Sequence, residues 1–129
     1  MEIRNFINGK FINSISKKNI PVLNPANQKI VGNIDEALDD EINEAFNAAK
    51  KTFDKRILLD MDTKEKSKMM RSIASKLRDY KSKGAAILSM ENGKTIEQCE
   101  SEFIAAADTY DYYAGLTDKI ENKMIPAGK

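Results

Sequence analysis

Helical periodicity runs almost without a break from residue 38 to residue 115, while the strand signals ahead of it are short. Leu38, Ile42, Ala45, Phe46, Ala49 and Phe53 recur at intervals of three and four, which puts them on one face of a helix, with Asp35 or Asp39 available as its cap. Asp62 and Glu65 form a capping-box pattern ahead of a second stripe, Met69, Met70, Ile73, Ala74 and Leu77. A short third helix is expected from Lys83 to Met90, stopping at Asn92-Gly93, where glycine permits a left-handed exit. Thr95 and Gln98 open a fourth helix with the stripe Cys99, Phe103, Ala106, Ala107, Tyr110 and Ala114, closed by Gly115. From Thr117 to Lys129 there is no periodicity, and Pro126 and Gly128 fit a loop.

Before these stripes lie two strand pairs. Ile3 to Ile7 and Lys10 to Ile12 flank Asn8-Gly9, a dipeptide that tolerates the positive φ angles of a type I′ turn. Ile20 to Leu23 and Lys29 to Ile34 flank a break at Asn24-Pro25, where proline has no N–H for a ladder. Taken alone, the chain is therefore expected to be α+β: short strands and hairpins, then about four α-helices. Such small strand pairs cannot cover four amphipathic helices. Some apolar surface must wait for a partner or for a continuation of the chain.

Composition removes several function classes. The chain has 129 residues, one domain by length, with 41% hydrophobic and 32% charged residues. A net charge of +1 gives no field to gather nucleic acid or an anionic membrane, so neither partner is expected. No apolar run approaches the roughly 20 residues that span a bilayer, and the first residues carry no secretory signal. One cysteine fits a reducing compartment, and a cytoplasmic location is expected. There is no histidine, which excludes Ser-His-Asp and Cys-His catalysis within these residues and most zinc sites.

The chemically suggestive residues each have a simpler account. Cys99 sits on an apolar stripe between Glu97 and Glu100, where burial and carboxylates both disfavour a thiolate, so it is expected to be a core residue. Gly93-Lys94-Thr95 resembles the end of a phosphate-binding loop. The motif's first glycine is replaced by Leu88, and a helix precedes it where a strand should, so it reads as a helix stop and the next cap. The glycines are too scattered to wrap a pyrophosphate. Glu100 and Glu102 do not share a helix face. Tyr110 fits the core stripe, Tyr112 and Tyr113 fit partial packing or an interface, and the run Lys64 to Lys68 reads as a solvated face.

Six segments, in order and at the expected intervals, resemble the aldehyde dehydrogenase superfamily. They are Phe6-Ile7-Asn8-Gly9-Lys10-Phe11, Pro21-Val22-Leu23-Asn24-Pro25-Ala26, Asp40 through Lys50, Thr63 through Lys66, Glu91 through Ile96, and Asp108 through Gly115. Ile125-Pro126 has a counterpart as well. The pattern is most similar to the betaine-aldehyde and general aldehyde dehydrogenase branch. It departs in lacking the usual tryptophan between Asp54 and Asp62, and in having Lys66 for an arginine, which loses a bidentate donor.

The resemblance implies an α/β family fold, with residues 1–129 as the N-terminal part of the cofactor-binding domain and the catalytic domain absent. In a complete enzyme it implies NAD(P)-dependent oxidation of an aldehyde to a carboxylic acid, and homo-oligomers. The catalytic Cys, general-base Glu, oxyanion Asn and cofactor-binding stretch of the family all fall beyond residue 129. No catalytic or cofactor-binding residue is therefore carried over, and the chain alone is expected to bind no NAD or NADP and to be inactive. One site is carried over: the Leu23 carbonyl and the Glu102 side chain match ligands of a structural monovalent cation, K+ or Na+, with a further ligand outside the chain. The residues taken alone favour a solvated Glu102. The alternative function is a stand-alone helical interaction module, or a subunit that complements a separately encoded remainder of the dehydrogenase.

Overall fold

The computed structural model describes residues 1–119 and 121. The Ile125-Pro126 counterpart and most of the expected terminal loop therefore lie outside the described residues. Five strands precede three helices: β1 (Glu2–Ile3), β2 (Asn5–Ile7), β3 (Lys10–Ile12), β4 (Asn19–Leu23), β5 (Ile30–Asp35), α1 (Asp39–Asp54), α2 (Thr63–Asn92) and α3 (Ile96–Ala114).

The first hairpin forms where the turn chemistry demands it. Asn8 at φ 50 and Gly9 at φ 80 make the two-residue turn between β2 and β3, with Phe6 opposite Phe11 and their rings edge to face at 5.0 Å. The second pair also forms, β4 antiparallel to β5, around a turn in which the Asn24 side chain accepts from the Ala26 N–H at 2.9 Å. The residues ahead of Asn5 do not extend the hairpin. They form β1, which pairs in parallel with β5 and gives a three-stranded sheet ordered β1-β5-β4. Gly32 allows this approach, because a Cβ there would lie 2.7 Å from the Met1 carbonyl oxygen.

Two helical expectations need correction. The second and third expected helices are one element, α2, of 30 residues. Gly84 lies in its interior, buried, and a Cβ there would collide with the Phe103 ring of α3. The glycine costs helix propensity and gives a bulky neighbour room to pack. The cap of α1 is neither Asp35 nor Asp39. Leu38 holds the cap position, and its N–H donates to Glu41 Oε2 at 2.8 Å. Asp35 instead accepts from the Ser14 N–H at 3.2 Å.

The remaining helix signals match. The Asp62 side chain accepts from Lys64 N at 2.8 Å and caps α2. Gly93 ends α2 at φ 74. Thr95 and Gln98 exchange side-chain and backbone hydrogen bonds at 3.3 and 3.2 Å, the reciprocal capping box, at the start of α3.

The core is small and one-sided. Ala74, Ala85, Cys99, Ala107 and Ala114 are buried between α2 and α3, and among the described residues Ile7 is the other fully buried apolar side chain. Cys99 is the largest fully buried side chain. Ion pairs flank this seam, with Arg78 2.7 Å from Asp108 and 2.8 Å from Asp111, and Lys81 3.1 Å from Glu100. The Ser67 hydroxyl donates to the Ala114 carbonyl at 2.8 Å and fastens the start of α2 to the end of α3.

Candidate functional site

The large side chains of the α1 stripe are uncovered. Its inner side, Ala45, Ala48 and Ala49, faces the β2–β3 hairpin around Phe6 to Gly9. Its large side chains point elsewhere: Ile42 is 54% exposed, Phe46 66% and Phe53 82%. The segment after α1 extends the same surface, with Ile57, Leu58 and Leu59 exposed around a shallow cleft that Phe53 and Ala49 also line. Phe6, Phe11, Ile20 and Ile30 are exposed on the strands. A soluble monomer rarely leaves this many large apolar side chains in water. The chain's accessible surface, 10384 Å², is about one and a half times the roughly 6,900 Å² expected of a self-contained globule of its mass, 14.5 kDa. A stripe that periodicity assigned to a core is thus a real stripe whose cover lies elsewhere.

One polar cluster fixes the position of that face. Glu41 is 3% exposed and accepts from three donors: the Leu38 N–H, the Ser14 hydroxyl at 3.0 Å and the Ile15 N–H at 3.2 Å. These contacts bind the loop after β3 to the first turn of α1. The Leu38 N–H, and then Ser14 and Ile15, hold the Glu41 carboxyl below its ordinary value against the opposing effect of burial. Ser14 Oγ also lies within reach of the Glu36 carbonyl, which accepts from the Ser16 hydroxyl at 2.9 Å as well. Sequence reading missed this cluster because its members are distant in the chain. The only local sign was Glu41 three residues after the cap position.

The other singled-out residues fall as follows. Cys99 is fully buried in the α2–α3 seam, out of reach of any substrate. Gly93 and Thr95 end one helix and begin the next, with no strand ahead of them. Glu100 pairs with Lys81, while Glu102 pairs with Lys94 Nζ at 2.6 Å, so the two carboxylates serve different partners. Lys94 is held protonated above its ordinary range by Glu102. Tyr110 is 38% exposed and does not join the core as its spacing suggested, and Tyr112 and Tyr113 stand out in an edge-to-face pair. Leu23, exposed, ends β4 and leads into the Asn24-Pro25 turn, whose proline ring lies against Gly93. The partner of the Glu102 carboxylate is the Lys94 ammonium. Among the described residues no group of three or more Cys, Asp or Glu side chains is placed to hold a metal, and no helix is long and apolar enough to cross a membrane.

An α+β unit with a buried thiol, no assembled reactive group among its described residues and a broad uncovered apolar face is one part of a larger architecture, and comparison with known proteins identifies that architecture. The model of the aldehyde dehydrogenase family matches residues 11–129, and the chain belongs to this family. It is 34% identical over 122 residues to the mitochondrial benzaldehyde dehydrogenase of Antirrhinum majus, covering 94% of this chain and 23% of that protein. It is 29% identical to the betaine aldehyde dehydrogenase of Bacillus subtilis, covering 93% and 24%. Among solved structures, a mutant of the Staphylococcus aureus betaine aldehyde dehydrogenase in complex with NAD+ superposes with a TM-score of 0.87 at 26% identity, covering 96% of this chain and 25% of that one. A Bacillus cereus aldehyde dehydrogenase mutant does so at 0.87 and 31%, covering 100% and 26%. The chain spans about a quarter of the length of these relatives and corresponds to their N-terminal segment.

Proposed function

We propose that this chain is the N-terminal part of the cofactor-binding domain of an NAD(P)-dependent aldehyde dehydrogenase, and that its work is to cover and brace the remainder of that enzyme. The observation that carries this reading is the open face of α1, with Ile42, Phe46 and Phe53 exposed while the neighbouring Ala45 and Ala48 are half-buried facing the β2–β3 hairpin. Burying such side chains gives about 1.5–3 kcal/mol each, so the face supplies a strong drive to dock. In the complete enzyme an aldehyde is oxidised to the carboxylic acid through a nucleophilic cysteine outside this chain. NAD(P), when bound there, accepts the hydride. The residues of this chain hold no atom of the substrate. They shape and shield the domain that does, and no residue here is assigned to NAD or NADP.

The same reading makes the Leu23 carbonyl and the Glu102 carboxylate two oxygen ligands of a K+ or Na+ site in the complete enzyme, which a cation would enter by displacing the Lys94 ammonium. It further implies a cytoplasmic homo-oligomer that engages neither nucleic acid nor membrane.

The test has two readouts on the purified chain. Mixed with an aldehyde and NAD+ or NADP+, it is expected to produce no reduced cofactor above a protein-free control, and aldehyde-dependent reduction would overturn the claim that chemistry lies elsewhere. In native buffer it is expected to bind a hydrophobic dye strongly, and a compact protein that binds none would remove the docking role.

A further inference from the structure

We infer that the chain is built of two folding units of unequal self-sufficiency: the α2–α3 hairpin folds on its own, and the lobe of β1–β5 and α1 becomes ordered only when its apolar face is covered. Three observations carry this. First, the buried apolar residues divide very unevenly. Among the described residues, Ala74, Ala85, Cys99, Ala107 and Ala114 are fully buried between α2 and α3, and in the lobe Ile7 alone is. Second, the packing partners do not cross the boundary. α2 packs along α3, while the lobe's strands and helix pack as β4 with β5, β1 with β5, β2 with β3, and α1 with β2; among the described elements no strand or helix of the lobe packs extensively on α2 or α3, and the Pro25 ring against Gly93 is a contact between the two units. Third, the hairpin closes its own ends, with Asp62, Gly93 and the Thr95–Gln98 box satisfying the helix termini and Ser67 accounting for the Ala114 carbonyl.

The lobe has the opposite balance. Two- and three-residue strands in small sheets are marginal without a covered face. Fixing each of its residues costs about 1–2 kcal/mol of conformational entropy, and against this the described lobe residues offer one fully buried side chain, Ile7, worth about 1.5–3 kcal/mol, and a partial return from the half-buried Ile3, Ile12, Val22, Val31 and Ile34. The Glu41 cluster directs α1 against the loop, but hydrogen bonds exchanged with water contribute little net drive. Order in the lobe is therefore conditional, with the aromatic face of α1 as the conditioning surface. The inference rests on the docking reading only for what does the covering. The autonomy of the hairpin does not depend on it.

Native-state hydrogen exchange on the full chain decides the question. Amides of α2 and α3 are expected to be protected at least about a hundredfold, and those of β1–β5 and α1 less than about tenfold. Comparable protection in both units overturns the inference, as does an absence of protection in both. Ile7→Ala is expected to leave the α2–α3 protection unchanged, whereas Gly84→Val is expected to lower it at least about fivefold without altering the lobe, and coupled losses in both units would refute the division. Because dye binding reads the open face and exchange reads the division, a chain that binds dye yet is uniformly protected keeps the docking role and loses this inference.

Discussion

The α2–α3 hairpin and the N-terminal lobe place size in opposite positions. In the hairpin the interior is made of small residues, Ala74, Gly84, Ala85, Ala107 and Ala114, which let two long helices lie close, with Phe103 seated over Gly84. In the lobe the bulky residues Phe6, Phe11, Ile42, Phe46 and Phe53 are on the outside. A domain that keeps to itself buries Leu, Ile, Val and Phe. Here the helix pair has a closed seam of small residues, although Tyr80, Met90, Ile96 and Tyr112 remain exposed on its outer faces, and the lobe has no comparable seam. An amphipathic stripe fixes which side of a helix will be covered; it does not fix whether the same stretch of chain supplies the cover.

The strongest way to break the comparison is Gly84→Val, which forces a branched side chain into Phe103. It is expected to destabilise the hairpin by about 1–3 kcal/mol, read as a fall in the thermal midpoint of the helical signal. Thr95→Ala, which removes half of the capping box at the start of α3, is expected to cost about 1 kcal/mol in the same measurement. A smaller effect, confined to the lobe, comes from acid. The Glu41 carboxyl is held below its ordinary value, so its stabilising contribution is full above the ordinary glutamate pKa of about 4.3 and is lost as pH falls through the depressed value. The protection factor at the first turn of α1, corrected for the intrinsic pH dependence of exchange, should fall over that range, and Glu41→Gln should remove that fall. Smallest of all, Phe46→Asp on the open face is expected to change the stability of the isolated chain by no more than about 0.5 kcal/mol while lowering dye binding. A larger loss would mean that Phe46 is already packed.

Local chemistry was legible in the sequence, and distant pairing was not. The Asn8-Gly9 turn, the caps at Asp62 and Thr95, and the left-handed Gly93 follow from a few neighbouring residues each. The continuity of α2 was hidden because Arg78 to Lys83 carries no apolar stripe. That stretch is held across the seam by charge, Arg78 to Asp108 and Asp111 and Lys81 to Glu100, a support that periodicity cannot register. The parallel pairing of β1 with β5 and the tie from Glu41 to Ser14 and Ile15 join residues far apart in the chain, so no local pattern announced them. The buried, unreactive Cys99 was legible from its position on the stripe between two carboxylates. The exposure of the α1 face was legible only as a mismatch between many helices and few strands.

The connection between α2 and α3 is only Gly93, Lys94 and Thr95. Helices joined this tightly meet through neighbouring contacts, and local zipping of that kind takes microseconds to milliseconds. The parallel β1–β5 pair must close a long loop first and gains little from it. Within this chain synthesis therefore delivers the slow lobe, with the apolar face of α1, before the quick hairpin.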